Sequence, residues 1–166
     1  MERVIGALVA IALAIWAMSS VLGNSDQAKS DQKGSTITTD VAFIMTKARS
    51  GMAQNNTGYT NFTNANMTSL INAGTFPSSM VKNGVVYDKW GNPVTLGSAN
   101  NGTNGTIAFG GGSSETADEC VTAVTGMNGY DTILVNATTF TAANKPDLST
   151  AGAACSATAA ITVTFH

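Results

Sequence analysis

MERVIGALVAIALAIWAMSSVLGNSDQAK, residues 1–29, decides how the rest of the chain must be read. From Val4 to Leu22 it carries no charge for roughly 19 residues. As a helix rising about 1.5 Å per residue it would span about 28 Å, close to the roughly 30 Å hydrocarbon thickness of a bilayer. Three readings compete. A secretory signal peptide needs a basic start, a shorter apolar stretch and a small-residue cleavage site. Here Glu2 and Arg3 cancel, the run is too long, and nothing like A-x-A closes it. A plain membrane anchor accounts for the length but not for Glu2 at one membrane edge. A helix that serves first in a membrane and then in a protein polymer suits the composition. Gly6, Ala7, Ala10, Ala12, Ala14 and Ala17 let helix backbones approach closely. The Ile, Leu, Val, Trp16 and Met18 side chains between them leave no polar face, so this helix must be surrounded on all sides.

No second long apolar run follows. After Leu22 the chain is rich in Thr, Asn, Ser, Gly and Ala, and only 11% of all residues are charged. A net charge of −2 gives no electrostatic case for nucleic-acid binding. The 166 residues suit one domain with a modest core. Cys120 and Cys155 are the only cysteines, with no CxxC, and His166 is the only histidine, so a zinc site is not indicated. Behind an export-type N-terminus the pair predicts a disulfide, with two buried thiols as the alternative. It would close a loop of about 36 residues, for which chain entropy gives about 4 kcal/mol.

Helical periodicity returns after the polar stretch bracketed by Gly23 and Gly34. Ile37, Val41, Ile44, Met45, Ala48 and Met52 share one face of an amphipathic helix, capped by Thr39 or Asp40 if the helix restarts there. The chain therefore divides into an N-terminal helix over 1–53 and a head over 54–166. Within the helix, 1–23 is apolar all round, 24–36 is a soft link of low helix propensity, and 37–53 has one apolar face for the head. In the head, Asn66–Ala73 predicts a short helix ended by Gly74, and Pro77 forbids its continuation. Asn83-Gly84, Gly91-Asn92-Pro93 and Asn104-Gly105 are turn signals. They surround short strands at Val85–Tyr87, Val94–Leu96 and Thr106–Phe109, with further strands at Thr132–Val135 and Ile161–Phe165. A helix follows GGGSS, capped by Ser113 or Ser114 and ended by Gly126. The pattern predicts an α+β head, an antiparallel sheet packed on the helix 37–53.

Signs of chemistry are few. GxSxG, the P-loop spacing, HExxH and GxGxxG after a strand are all absent. GGGSS lacks the lysine of a phosphate loop and reads as a glycine-rich turn. Glu115, Asp118 and Glu119 read as a solvated helix face rather than a calcium site. The N-x-T triplets at Asn55, Asn61, Asn66, Asn101, Asn104 and Asn136 follow from composition and are not read as glycosylation sites. No catalytic residue, metal site or cofactor is assigned.

The blocks in order carry a family resemblance. After the apolar helix with its early glutamate come YTNFTNANMTSLINAGTFPSSMV and YDKWGNPVTL, then ECVTAV, then AACSATAAITVTFH. The combination resembles a type IV pilin of the b subclass, most closely the PilS major pilins of conjugative thin pili. The resemblance implies the pilin fold, with a long N-terminal helix whose second half packs on an antiparallel sheet. It implies a non-enzymatic structural subunit that self-assembles into an extracellular filament on a bacterial surface, for conjugation or adhesion. The alternatives are a minor pilin or pseudopilin, or a monomeric membrane-anchored binding protein. Implied partners are further copies of the chain, the inner membrane before assembly, prepilin peptidase, the assembly machinery and a minor tip adhesin. The chain would be the processed form, with Met1 as the N-methylated residue. In such pilins a glutamate, usually the fifth mature residue, neutralises a neighbour's terminal amine. Here the acidic candidate is Glu2, followed by Arg3, so Glu2 would pair with that amine or with a neighbour's Arg3.

Overall fold

Five residues of the predicted apolar face, Ile37, Val41, Ile44, Met45 and Ala48, are buried in one core, and Met52 packs against its edge. The computed structural model describes residues 28–166. Met1, Glu2, Arg3, the apolar stem 1–23 and residues 24–27 of the link lie outside the described residues. The described part of the long helix, α1, covers 28–48 and ends in a π-turn at Arg49–Ala53. Residues 28–36 of the link are helical. The helix does not restart at Thr39 or Asp40, so neither is a cap, and Asp40 is buried in mid-helix.

After two 3-10 turns, α2 forms at Met67–Asn72, one residue inside each predicted bound, and Gly74 follows with φ +70°. β1 (Val81–Lys82) and β2 (Val85–Val86) form a hairpin. Its turn is Asn83-Gly84, both at positive φ, as a type I′ turn requires. Five strands make the main sheet: β3 (Thr95–Ala99), β4 (Asn104–Gly110), β5 (Thr132–Val135), β6 (Thr138–Thr141) and β7 (Ala160–Phe165). Their order is β3-β4-β7-β5-β6 and every pairing is antiparallel. The C-terminal strand is thus central, entering between β4 and β5. Its alternation puts Ile161, Val163 and Phe165 inward, beside Ile107 and Phe109 of β4 and Ile133 and Val135 of β5. Helix α1 covers this inner face.

α3 (Ala117–Gly126) and α4 (Leu148–Ala154) flank the sheet. Four expectations are corrected. Asn104-Gly105 lies inside β4, and the turn before it is made by Asn100–Gly102, all at positive φ. The cap of α3 is Thr116, whose Oγ1 accepts from Glu119 N–H at 3.2 Å while Glu119 accepts from Thr116 N–H at 3.1 Å. This reciprocal box beats a serine cap because it satisfies two helix-end donors at once. Glu115 and Glu119 are each 2% exposed, not solvated. Finally, β6 and α4 occupy a stretch where no element was predicted.

Candidate functional site

Two attachments hold the stem helix to the head, and a disulfide within the head braces the first of them. The first is the seam with α3. Thr38 Oγ1 donates to the Ala123 carbonyl at 3.2 Å, and Thr122 Oγ1 donates to Asp31 at 3.5 Å. Lys33 Nζ lies 3.1 Å from Glu119 Oε1. Glu119 therefore closes the cap of α3 with one oxygen and grips the stem with the other. A carboxylate this buried needs such partners, because an unpaired charge out of water is costly.

A disulfide braces that seam from within the head. Cys120, next to Glu119 in the first turn of α3, is bonded to Cys155, which follows α4, across 35 residues. Asp147 caps α4 by accepting from Ser149 and Thr150 N–H, both at 2.8 Å. Its hydrogen bonds with Thr150, then Ser149, hold its carboxyl below the ordinary carboxylate range. Asn136 accepts from Ala160 N–H and donates to the Ala154 carbonyl. Asn136, within the disulfide loop, thereby ties the end of α4 to the start of β7.

Arg49 makes the second attachment, at the end of β7. Its Nε donates to the His166 carbonyl at 2.6 Å, and a terminal nitrogen donates to the Gly129 carbonyl. The guanidinium also lies 5.5 Å from the Phe165 ring centre. Asp131 accepts from Asn104 Nδ2 and meets His166 Nδ1 on the same edge.

Beneath the stem, Asp40 is 7% exposed and its Oδ2 has no partner. It borders a cavity of about 10 Å3 with Asp88, Lys89 and apolar side chains including Val41, Val94 and Phe109. Burial raises the Asp40 pKa, and nearby Lys89 only partly offsets it. Asp88 is raised by burial too, against hydrogen bonds from Asn92, Gly110 and Trp90 N–H that favour its charge. Those bonds fold the YDKWGNP turn. Beside it, the GGGSS loop directs Gly111 and Ser114 N–H at the carboxylate of Glu115, at 2.7 and 3.1 Å. The turn cradles an anion, and that anion belongs to the chain.

On its far side α1 exposes Thr39, Ala42, Phe43, Thr46 and Lys47. Phe43 is 39% exposed, with the Lys47 ammonium 5.6 Å from its ring centre. Of the predicted site residues, Cys120 and Cys155 are joined, and Met1, Glu2 and Arg3 are outside the described residues. Sequence reasoning missed Lys33, Arg49 and Glu119 as attachment residues, and Asp40 as a buried carboxylate beneath the stem. Asp40 carried a usable signal, since it stands one position before Val41 on the apolar stripe. The other three depend on contacts far along the chain. Among the described residues, no cluster of His, Cys, Asp and Glu could hold a metal ion.

No curated protein matches the chain. A solved structure does: the crystal structure of type IV b pilin from Salmonella typhi has a TM-score of 0.58 and 17% identity, covering 81% of this chain and 98% of that one. At that identity the likeness is one of fold. The PilS N-terminal family matches residues 31–166, from the docked part of the stem through the central C-terminal strand. Match, fold and disulfide-closed head agree: the chain belongs to the PilS family and is a type IV pilin of the b subclass, a structural pilus subunit and not an enzyme.

Proposed function

We propose that this pilin is the major subunit of its pilus, polymerising through its N-terminal helices into an extracellular filament for mating contact or cell adhesion. One observation carries this reading. The described stem needs only one apolar face for the head, whereas residues 4–22 have no polar face at all. Such a segment must be enclosed, by lipid in the unassembled subunit and by other copies in a filament. Residues 1–23 are then the filament core, 24–36 a link, 37–53 the docked helix and 54–166 the outer head. A prepilin peptidase processes the subunit, and assembly machinery extracts it from the inner membrane. Glu2 pairs in the core with a neighbour's terminal amine or Arg3. Breaking a buried pair on one side costs about 3–5 kcal/mol, and the contact recurs at every subunit. Cells carrying Glu2→Ala should retain the subunit in the inner membrane and lose surface filaments, counted by electron microscopy. Filaments of normal number and length would refute the pairing. Sheared fibres from unaltered cells should consist mainly of this chain by mass spectrometry. Scarcity there would reassign it as a minor pilin.

A further inference from the structure

The outer face of the main sheet carries a regular row of hydroxyls. Register places Thr106 opposite Thr164, Thr164 opposite Thr132, and Thr132 opposite Thr141. One threonine therefore stands on each of four adjacent strands, about 4.8 Å apart. The next row along, about 6.8 Å away, holds Ala108, Thr162, Leu134 and Thr139, with Leu134 39% exposed. The sequences of all five strands contain no charged residue. Within the row only Thr141 has its hydroxyl occupied by the protein, accepting from Asn144 N–H at 3.1 Å.

We propose that this face binds a single extended strand of neutral polysaccharide, lying across the strands along the threonine row. Free hydroxyls both donate and accept, as sugar hydroxyls require, while exposed Leu134 offers an aliphatic patch to the apolar face of a ring. The absence of charge disfavours nucleic acids and other polyanions, which are gathered by basic surfaces. Area argues against a second copy of the chain. The face measures about 24 by 14 Å, on the order of 300 Å2, against about 800 Å2 per partner in a standard stable interface. Sheet twist of about 20–25° per strand turns the row by roughly 70° over its length. A flat crystalline surface cannot follow that turn, and a flexible polymer strand can. Individual contacts of this kind are weak, and one ligand strand makes several of them along the row.

The test uses full-length subunit in detergent micelles, so that its outcome does not depend on polymerisation. Retardation is measured in native gels containing a soluble neutral β-glucan, a neutral α-mannan, or polygalacturonate as the anionic control. We expect retardation by a neutral polymer and none by the anion. Thr132→Val with Thr164→Val preserves shape and strand preference and removes two hydroxyls; it should lower retention at least fivefold at an unchanged melting temperature. Leu134→Lys, a second variant on the same face, should do the same. Retention by neither neutral polymer overturns the proposal. So does equal retention by polygalacturonate, retention unaffected in folded variants of both kinds, or concentration-dependent dimerisation abolished by the valine pair.

Discussion

Gly34 of α1 stands against Thr122 of α3 with no room for a methyl group. A Cβ there would lie 2.7 Å from Thr122 Cβ and 2.7 Å from the Glu119 carbonyl oxygen. Two effects oppose each other in Gly34→Ala. Helix propensity favours alanine by about 1 kcal/mol, and overpacking a tight contact costs about 1–3 kcal/mol. Because the obstacle includes backbone anchored by the cap and the disulfide, overpacking should win by about 1 kcal/mol. Chemical denaturation of the solubilised subunit reads this as a lower midpoint, and a higher one would show that α3 gives way freely.

The same seam limits where the stem can unwind. Residues 23–34 have low helix propensity, and Ser, Asn and Gln side chains can satisfy backbone groups freed there. Asp31, Lys33, Gly34 and Thr38 are docked on α3, however. In a filament the helix should therefore unwind before Asp31 and stay helical after it. A filament map with unbroken helix from 20 to 40, or with residues 33–38 unwound, would contradict this.

Cys120→Ser should destabilise the head by about 2–5 kcal/mol, the usual cost of losing a native disulfide in a small exported domain. Loss of the bond frees α4 from α3, and piliation should fall with it. Denaturation midpoints with and without reductant check the size of the effect. Both thiols reacting with alkylating agent in the native, unreduced protein would show that the bond does not form.

Asp40 makes stability fall as pH rises. Its pKa is raised by burial above the ordinary 3.8. Below that value it is protonated in both folded and unfolded chains and adds no ionisation penalty. Between 3.8 and its folded pKa the unfolded chain alone releases the proton, so folding is penalised progressively, and the penalty is then constant at higher pH. Asp40→Asn should match the parent near pH 3 and exceed it at pH 7, in denaturation midpoints taken at both. A lower midpoint at pH 7 would mean that ionised Asp40 has a partner worth more than its burial costs.

Patterns within one element were legible without coordinates. The stripe from Ile37 to Ala48, the turn at Asn83-Gly84 and the strand Thr132–Val135 each follow from local periodicity or from a backbone angle only certain residues adopt. The cysteine pairing was also legible, because only two cysteines exist. Contacts between distant segments were not. Glu115 and Glu119 look solvated in sequence, since carboxylates at a helix start usually are. They are buried because Lys33 comes to Glu119 and Asn92 to Glu115 from elsewhere in the chain. α4 was hidden by its Gly and Ser content, and it holds through its Asp147 cap and the disulfide. By itself, then, the sequence determined most of the elements, the apolar run at 4–22 and the family. Only the tertiary structure decided which groups meet across the α1–α3 seam and which hydroxyls align across the sheet, since register between strands and packing between helices depend on the whole chain folding at once.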